Sequence, residues 1–164
     1  MKKTLALIMA VLMLVCVLSA CGGKDTAKDD ANKEDTGASS NVIKIGGTGP
    51  LTGGAAIYGN AAANGAKIAV DEINAAGGLN GVMFKLVVMD DKHDATLVSG
   101  NYSAMLEGGM QLSLGTVTTA PGLEFKNLSM EDNVFFLTPS ASGDKIPEFD
   151  NGYQMCFADG NQGK

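Results

Sequence analysis

The chain has no tryptophan and no arginine, a single histidine and only three cysteines among 164 residues. Each shortage excludes something. Proteins that grip nucleic acid draw most of their affinity from basic side chains set against phosphates. This chain sets 12 Lys and no Arg against 18 acids, for a net charge of −6. The same acidity argues against electrostatic docking on anionic lipid. Cys16, Cys21 and Cys156 are too few and too scattered for a disulfide framework, and Cys156, in an apolar run, reads as a small core residue. His93 stands beside Asp90, Asp91 and Asp94 with Lys92 among them. One imidazole in such company is a poor metal ligand set. The stretch reads as a solvated strand-to-helix turn with Asp94 as a cap. Gly47-Thr48-Gly49 opens like a dinucleotide fingerprint, but the third glycine position is Thr52 and no Gly-Lys-Ser/Thr follows. No nucleophile–base pair, acid pair or metal cluster appears, so the chain does not read as an enzyme and no cofactor or metal is expected.

What is present begins with an address. Lys2 and Lys3, the apolar run from Leu5 to Val17 and the small residues Ser19 and Ala20 form a secretory signal peptide over residues 1–20. The run is too short for a comfortable membrane span. Leu18-Ser19-Ala20-Cys21 resembles a bacterial lipobox, which implies that Cys21 is acylated and becomes the mature N-terminus. The protein is then lipid-anchored on the extracytoplasmic face of the cell membrane. Without residues 1–20 the chain keeps 144 residues, with ten Lys against eighteen acids and a net charge of −8. That length suits one domain with a real core. Residues 21–41 hold no large apolar side chain and read as a disordered tether.

From residue 42 the pattern changes. Val42 to Gly46, Phe84 to Met89, Met110 to Val117, Val134 to Leu137 and Tyr153 to Phe157 read as strands. Asn60 to Ala76 reads as a helix with Ala62, Ala66, Ala69, Ile73 and Ala76 on one face, stopped by Gly77-Gly78. Asp94 to Glu107 and Pro121 to Met130 read as two more, the last with Thr119 or Ala120 near its cap. The alternation predicts an α/β domain over 42–164: an open, parallel, doubly wound sheet with right-handed crossovers and helices on both faces.

In such a sheet ligands bind outside the carboxyl ends of the strands. The segments there are rich in hydroxyls and backbone donors, which suits a compact polar ligand. Thr118 and Thr119 precede a helix N-terminus, where free N–H groups and the helix dipole attract an anion such as a carboxylate. Thr119 capping its own helix explains the same residues equally well. Ser140 and Ser142 follow the fourth strand, placed either to accept from an ammonium group or to close a local turn on themselves. Facing each other, the two loops would suit the two ends of an α-amino acid.

Several motifs in order carry a resemblance. Ile43-Lys44-Ile45-Gly46, Gly49-Pro50-Leu51-Thr52-Gly53, Tyr58-Gly59 and Ala69 through Gly78 (AVDEINAAGG) come first. Asp90-Asp91, Gly115 through Thr119 (GTVTT), Thr138 through Ser142 (TPSAS) and Gln162-Gly163-Lys164 follow. Together they resemble the leucine/isoleucine/valine-binding protein family, the substrate-binding components of branched-chain amino acid ABC transporters. The resemblance implies the first lobe of a type I periplasmic binding protein, whose two α/β lobes close on a ligand, with the second lobe absent from this chain. It implies a hydroxyl at Thr119 on the ligand carboxylate and a main-chain carbonyl at Ser140 receiving the ammonium. It also implies a ligand contact from the Ser142 hydroxyl and an aromatic at Tyr58 closing the mouth. Some members tie the loop after strand two to the turn after strand three by a disulfide; those positions here hold His93 and Thr118. The expected partners are a small amino acid, an ABC permease and the membrane through the lipid anchor, not nucleic acid, with the protein a monomer. Binding proteins for amides, urea or aromatic acids, and the sensor region of a receptor, share the fold and remain alternatives. A flavodoxin-like protein would need a phosphate loop where Pro50 and Leu51 stand, and a response regulator an acceptor Asp where strand three ends in Gly115-Thr116.

Overall fold

The computed structural model describes residues 41–162. The expected signal peptide, Cys21 and residues 22–40 of the expected tether lie outside the described residues, as do Gly163 and Lys164. Five strands form one sheet: β1 (Val42–Gly49), β2 (Met83–Asp90), β3 (Leu112–Thr116), β4 (Phe136–Thr138) and β5 (Gly152–Gln154). Three helices connect them: α1 (Ala56–Ala75), α2 (Val98–Glu107) and α3 (Thr119–Glu131). The strand order is β2-β1-β3-β4-β5 and every pairing is parallel. The alternation of strand and helix leaves little else, because parallel neighbours need a crossover.

The crossovers set the layers. The path moves one way from β1 to β2 and the other way from β2 through β5. Right-handed connections therefore place α1 on one face and α2 with α3 on the other. α1 packs on β1 and β2, while α2 and α3 pack on each other. The main core is on the α2–α3 face: Val98, Tyr102 and Met105 from α2, Phe125 from α3, Phe136 from β4 and Ile146 beyond it. Tyr102, Phe125 and Phe136 stack edge to face, with ring centroids 5.2 and 5.6 Å apart.

Several elements differ from the sequence reading in their bounds or surroundings. α1 starts at Ala56, four residues early, and its inward positions include Val70 and Asn74 rather than Ala69 and Ile73. The Asn74 amide explains the shift. It donates to the Phe84 carbonyl (2.7 Å) and accepts from the Phe84 N–H (2.9 Å), holding the helix to the start of β2. β5 stops at Gln154, because β4 offers only three residues to pair with. Cys156 is consequently half-buried beyond the strand, not in the core. The turn after β2 is not solvated throughout, since Asp91 is completely buried. Asp94 caps the 3-10 turn Ala95–Leu97 that precedes α2 rather than α2 itself, accepting from the Thr96 N–H at 2.9 Å.

Gly59 sits where α1 crosses the loop after β1. A Cβ there would lie 2.0 Å from the Pro50 carbonyl oxygen, so only glycine permits this approach.

Candidate functional site

The direction of chain travel reverses between β1 and β3, the place where open α/β sheets hold ligands. Here the carboxyl edge carries an open groove of about 530 Å³, lined by Thr118, Thr119, Ser140, Ser142, His93 and Leu123 among others. Four sequence-predicted residues, Thr118, Thr119, Ser140 and Ser142, thus come together. Tyr58 is on the first turn of α1, 67 % exposed, and is not one of the groove's lining residues. His93 is exposed, as the reading of a solvated turn expects, and it also lines the groove. The signal available is the resemblance, which implies that the positions held here by His93 and Thr118 can be joined by a disulfide in some members.

The groove is built from hydroxyl staples. The Thr138 hydroxyl donates to the Thr116 carbonyl and tethers β4 to β3. One turn onward the Ser140 hydroxyl donates to the Val117 carbonyl at 2.6 Å. The Ser142 N–H donates to the Thr119 hydroxyl oxygen at 3.3 Å. The Ser140–Ser142 loop is fixed from behind, because Gln154 Nε2 donates to the carbonyls of Ala141 (2.7 Å) and Gly143 (3.1 Å). The Ser142 carbonyl is engaged by the Asp159 N–H at 2.8 Å. Ser140 therefore spends its hydroxyl proton on the scaffold, while Thr119 accepts from the scaffold and keeps its own proton to donate.

The N-terminus of α3 opens on this groove. Thr118 is the N-cap, in extended conformation, but its side chain makes no capping bond. That corrects the expected cap by one residue and leaves Thr119 as the first helical residue. Pro121, third in the helix, has no N–H to satisfy. The first turn carries no acid, so the positive end of the helix dipole is not neutralised by its own side chains. The Thr118 hydroxyl oxygen is out of solvent and has no hydrogen-bond partner among the described residues. A buried hydroxyl left in that state is costly, and a ligand atom would satisfy it.

Two neighbouring acids hold the loops that flank the groove. Asp90 accepts from the Leu51 N–H (2.8 Å), the Thr52 hydroxyl (2.5 Å) and the Lys92 N–H (2.9 Å). The Thr52 hydroxyl and these backbone donors hold its carboxyl down at about 2. Asp91 accepts from the Thr48 hydroxyl (2.7 Å) and the His93 N–H (2.9 Å). Burial outweighs those bonds and pushes its carboxyl up. Lys92 and His93 both sit in the left-handed region, at φ 52° and 64°. The two carboxylates fix that turn by bonding its N–H groups.

A second cavity, about 310 Å³, lies between α1 and the sheet, lined by Gly47, Ala62, Ala66, Leu114 and other small or apolar residues. Its one hydroxyl, on Thr48, is already donated to Asp91. It offers a polar ligand nothing, and chemistry favours the groove.

Among the described residues no helix is long and apolar enough to cross a membrane. Residues 42–164 match the family described as periplasmic binding protein. A leucine-, isoleucine-, valine-, threonine- and alanine-binding protein of Pseudomonas aeruginosa is 31% identical over 116 residues, covering 71% of this chain and 31% of that protein. Leu/Ile/Val-binding protein homolog 3 of Brucella melitensis is 31% identical over 122 residues, 73% of this chain and 33% of the relative. Among solved structures, the branched-chain amino acid transporter substrate-binding protein LivJ of Streptococcus pneumoniae, in complex with isoleucine, superposes with a TM-score of 0.67. It is 28% identical and covers 71% of this chain and 34% of its own. A solute-binding protein from Rhodopseudomonas palustris in complex with 3,4-dihydroxybenzoic acid gives a TM-score of 0.65 at 18% identity, covering 72% and 32%, and shares the fold. The chain spans about a third of the length of the relatives it matches. With the parallel sheet and the length of the match both in view, this chain belongs to the periplasmic binding protein family.

Proposed function

We propose that the protein is an extracytoplasmic solute-binding lipoprotein, held to the membrane through Cys21, that captures an amino acid and delivers it to an ABC permease. A branched-chain amino acid is the preferred solute. The observation that carries this reading is the groove at the carboxyl edge. It brings an uncompensated helix N-terminus and the Thr118 and Thr119 hydroxyls beside the Ser140–Ser142 loop. That pairing of a donor-rich wall with a hydroxyl- and carbonyl-bearing wall suits the carboxylate and the ammonium of one small zwitterion. Leu123 adds an apolar contact for an aliphatic side chain. The branched-chain ligands of the relatives support the same solute class.

In this reading Thr119 donates to the carboxylate and the Ser140 main chain receives the ammonium. The Ser142 hydroxyl makes a further ligand contact, and Tyr58 closes the mouth when a second lobe swings in. Capture is a shift of population between open and closed states. Isothermal titration calorimetry with L-leucine, L-isoleucine and L-valine tests it. Heat from these and none from urea, acetamide or 3,4-dihydroxybenzoate is expected, with binding weakened by Thr119→Ala. Binding of the amide or the aromatic acid instead would replace the solute class.

A further inference from the structure

We propose that His93 is a direct contact for the anionic end of the ligand, a specificity-determining residue that makes capture tighten as pH falls. The inference rests on the groove being the amino-acid site argued above and adds a residue that reading does not contain. His93 is exposed and lines the groove together with Thr118 and Thr119. The main chain that carries it is held by the turn. The Asp91 carboxylate holds the His93 N–H at 2.9 Å, and the Asp90 carboxylate holds the Lys92 N–H at 2.9 Å, so both left-handed residues are pinned. In the same groove the buried Thr118 hydroxyl has no partner among the described residues. An anionic group seated there would take a hydrogen bond from Thr118 and from the imidazole at once.

The electrostatics give the sign. The groove's other lining residues are hydroxyl-bearing or apolar, so among the described residues His93 is its single titratable side chain. The charges facing it come from its own turn: buried Asp91, and Asp90, Lys92 and Asp94, of which Asp91 interacts with it electrostatically. The β3–α3 and β4–β5 sides of the groove bring no charged residue to its lining. Imidazole is the side chain that changes charge between about pH 5 and 8. A protonated ring donates a charge-assisted bond to a carboxylate and a neutral ring a weaker one. L-leucine keeps both of its charges across that range, so the slope reports the protein.

The test uses the full chain and L-leucine as the probe. Affinity measured by calorimetry at about pH 5.5 and pH 8 is expected to differ about three- to tenfold, tighter at the lower pH. His93→Gln, which keeps a neutral donor, is expected to abolish most of that slope. The wild-type imidazole resonances are followed by NMR in the same titration, which removes any dependence on how the variant folds. Ring shifts saturating with the Thr119 and Ser140 amides, and a flattened slope in the variant, support the proposal. Amide shifts at Thr119 and Ser140 with an unmoved ring, or a slope that survives His93→Gln, overturn it and leave the amino-acid site standing. No groove resonance moving with L-leucine overturns both.

Discussion

The two faces of the sheet are unlike, and adjacent residues show it. Phe136 is 2 % exposed and belongs to the aromatic stack under α2 and α3, while Phe135, one residue earlier, is 45 % exposed on the other face. Asp90 and Asp91 repeat the contrast at the carboxyl edge. Asp90 bonds the loop that leads into α1, and Asp91 is buried against Thr48. The first face is a close-packed interior with the site's helix α3 as part of it. The second carries a helix in which only Gly59 is buried. The groove takes rigidity from the first face through α3 and the Thr138 and Ser140 staples, and from the Asp90 and Asp91 bonds at the carboxyl edge.

The largest effect that would break this comparison is in the core. Phe125→Ala removes a fully buried ring touching both Tyr102 and Phe136. It is expected to cost about 3–5 kcal/mol in urea unfolding. Phe135→Ala, whose ring meets Tyr153 at 5.6 Å on the open face, is expected to cost less than about 1 kcal/mol. Equal costs would mean that the two faces are equally packed, and the account of α3 as the anchored element would be wrong.

The second test sharpens the contrast by titration. Asp90, held at about 2, binds fewer protons folded than unfolded as pH falls below its ordinary value near 4. Its contribution is present above that range and lost as pH drops toward 2. Asp91 runs the other way. Its raised carboxyl binds more protons folded than unfolded just above the ordinary value, so stability from this group falls as pH rises through that window. Chemical unfolding of Asp90→Asn and Asp91→Asn across acid pH is expected to give opposite changes of slope relative to the parent. Parallel changes would show that the two acids share one environment.

Much of this was legible from residues alone, and the failures have physical causes. Strand and helix alternation, the Gly-Gly stops and the Asp94 cap are local signals, and the parallel, doubly wound sheet follows from them. The inward face of α1 was misread because an alanine-rich helix has little amphipathic contrast. The deciding contact, the Asn74 amide on the Phe84 backbone, is tertiary. β5 was overestimated because an apolar run sets how long a strand can be, and its neighbour sets how long it is. That Thr118, Thr119, Ser140 and Ser142 share one groove is legible because each follows a strand whose carboxyl end lies on the same edge of the sheet. His93 is not legible as a groove residue because its turn is exposed, as read, and only tertiary placement brings it into the groove lining.

The smallest effect separates what holds the groove from what the groove is for. Thr118→Val exchanges a hydroxyl for a methyl of nearly the same shape. In the fold that hydroxyl has no partner among the described residues, so its removal takes away a desolvated group without breaking a bond. Stability is expected to stay level or rise by up to about 1 kcal/mol. Ser140→Ala is the control, because its hydroxyl does bond the Val117 carbonyl, and it should lose about 1 kcal/mol. If the groove takes a carboxylate, Thr118→Val weakens L-leucine binding even though the fold is as stable as before. A loss of stability at Thr118 as large as at Ser140 would place its hydroxyl in the scaffold, with nothing left to offer a ligand.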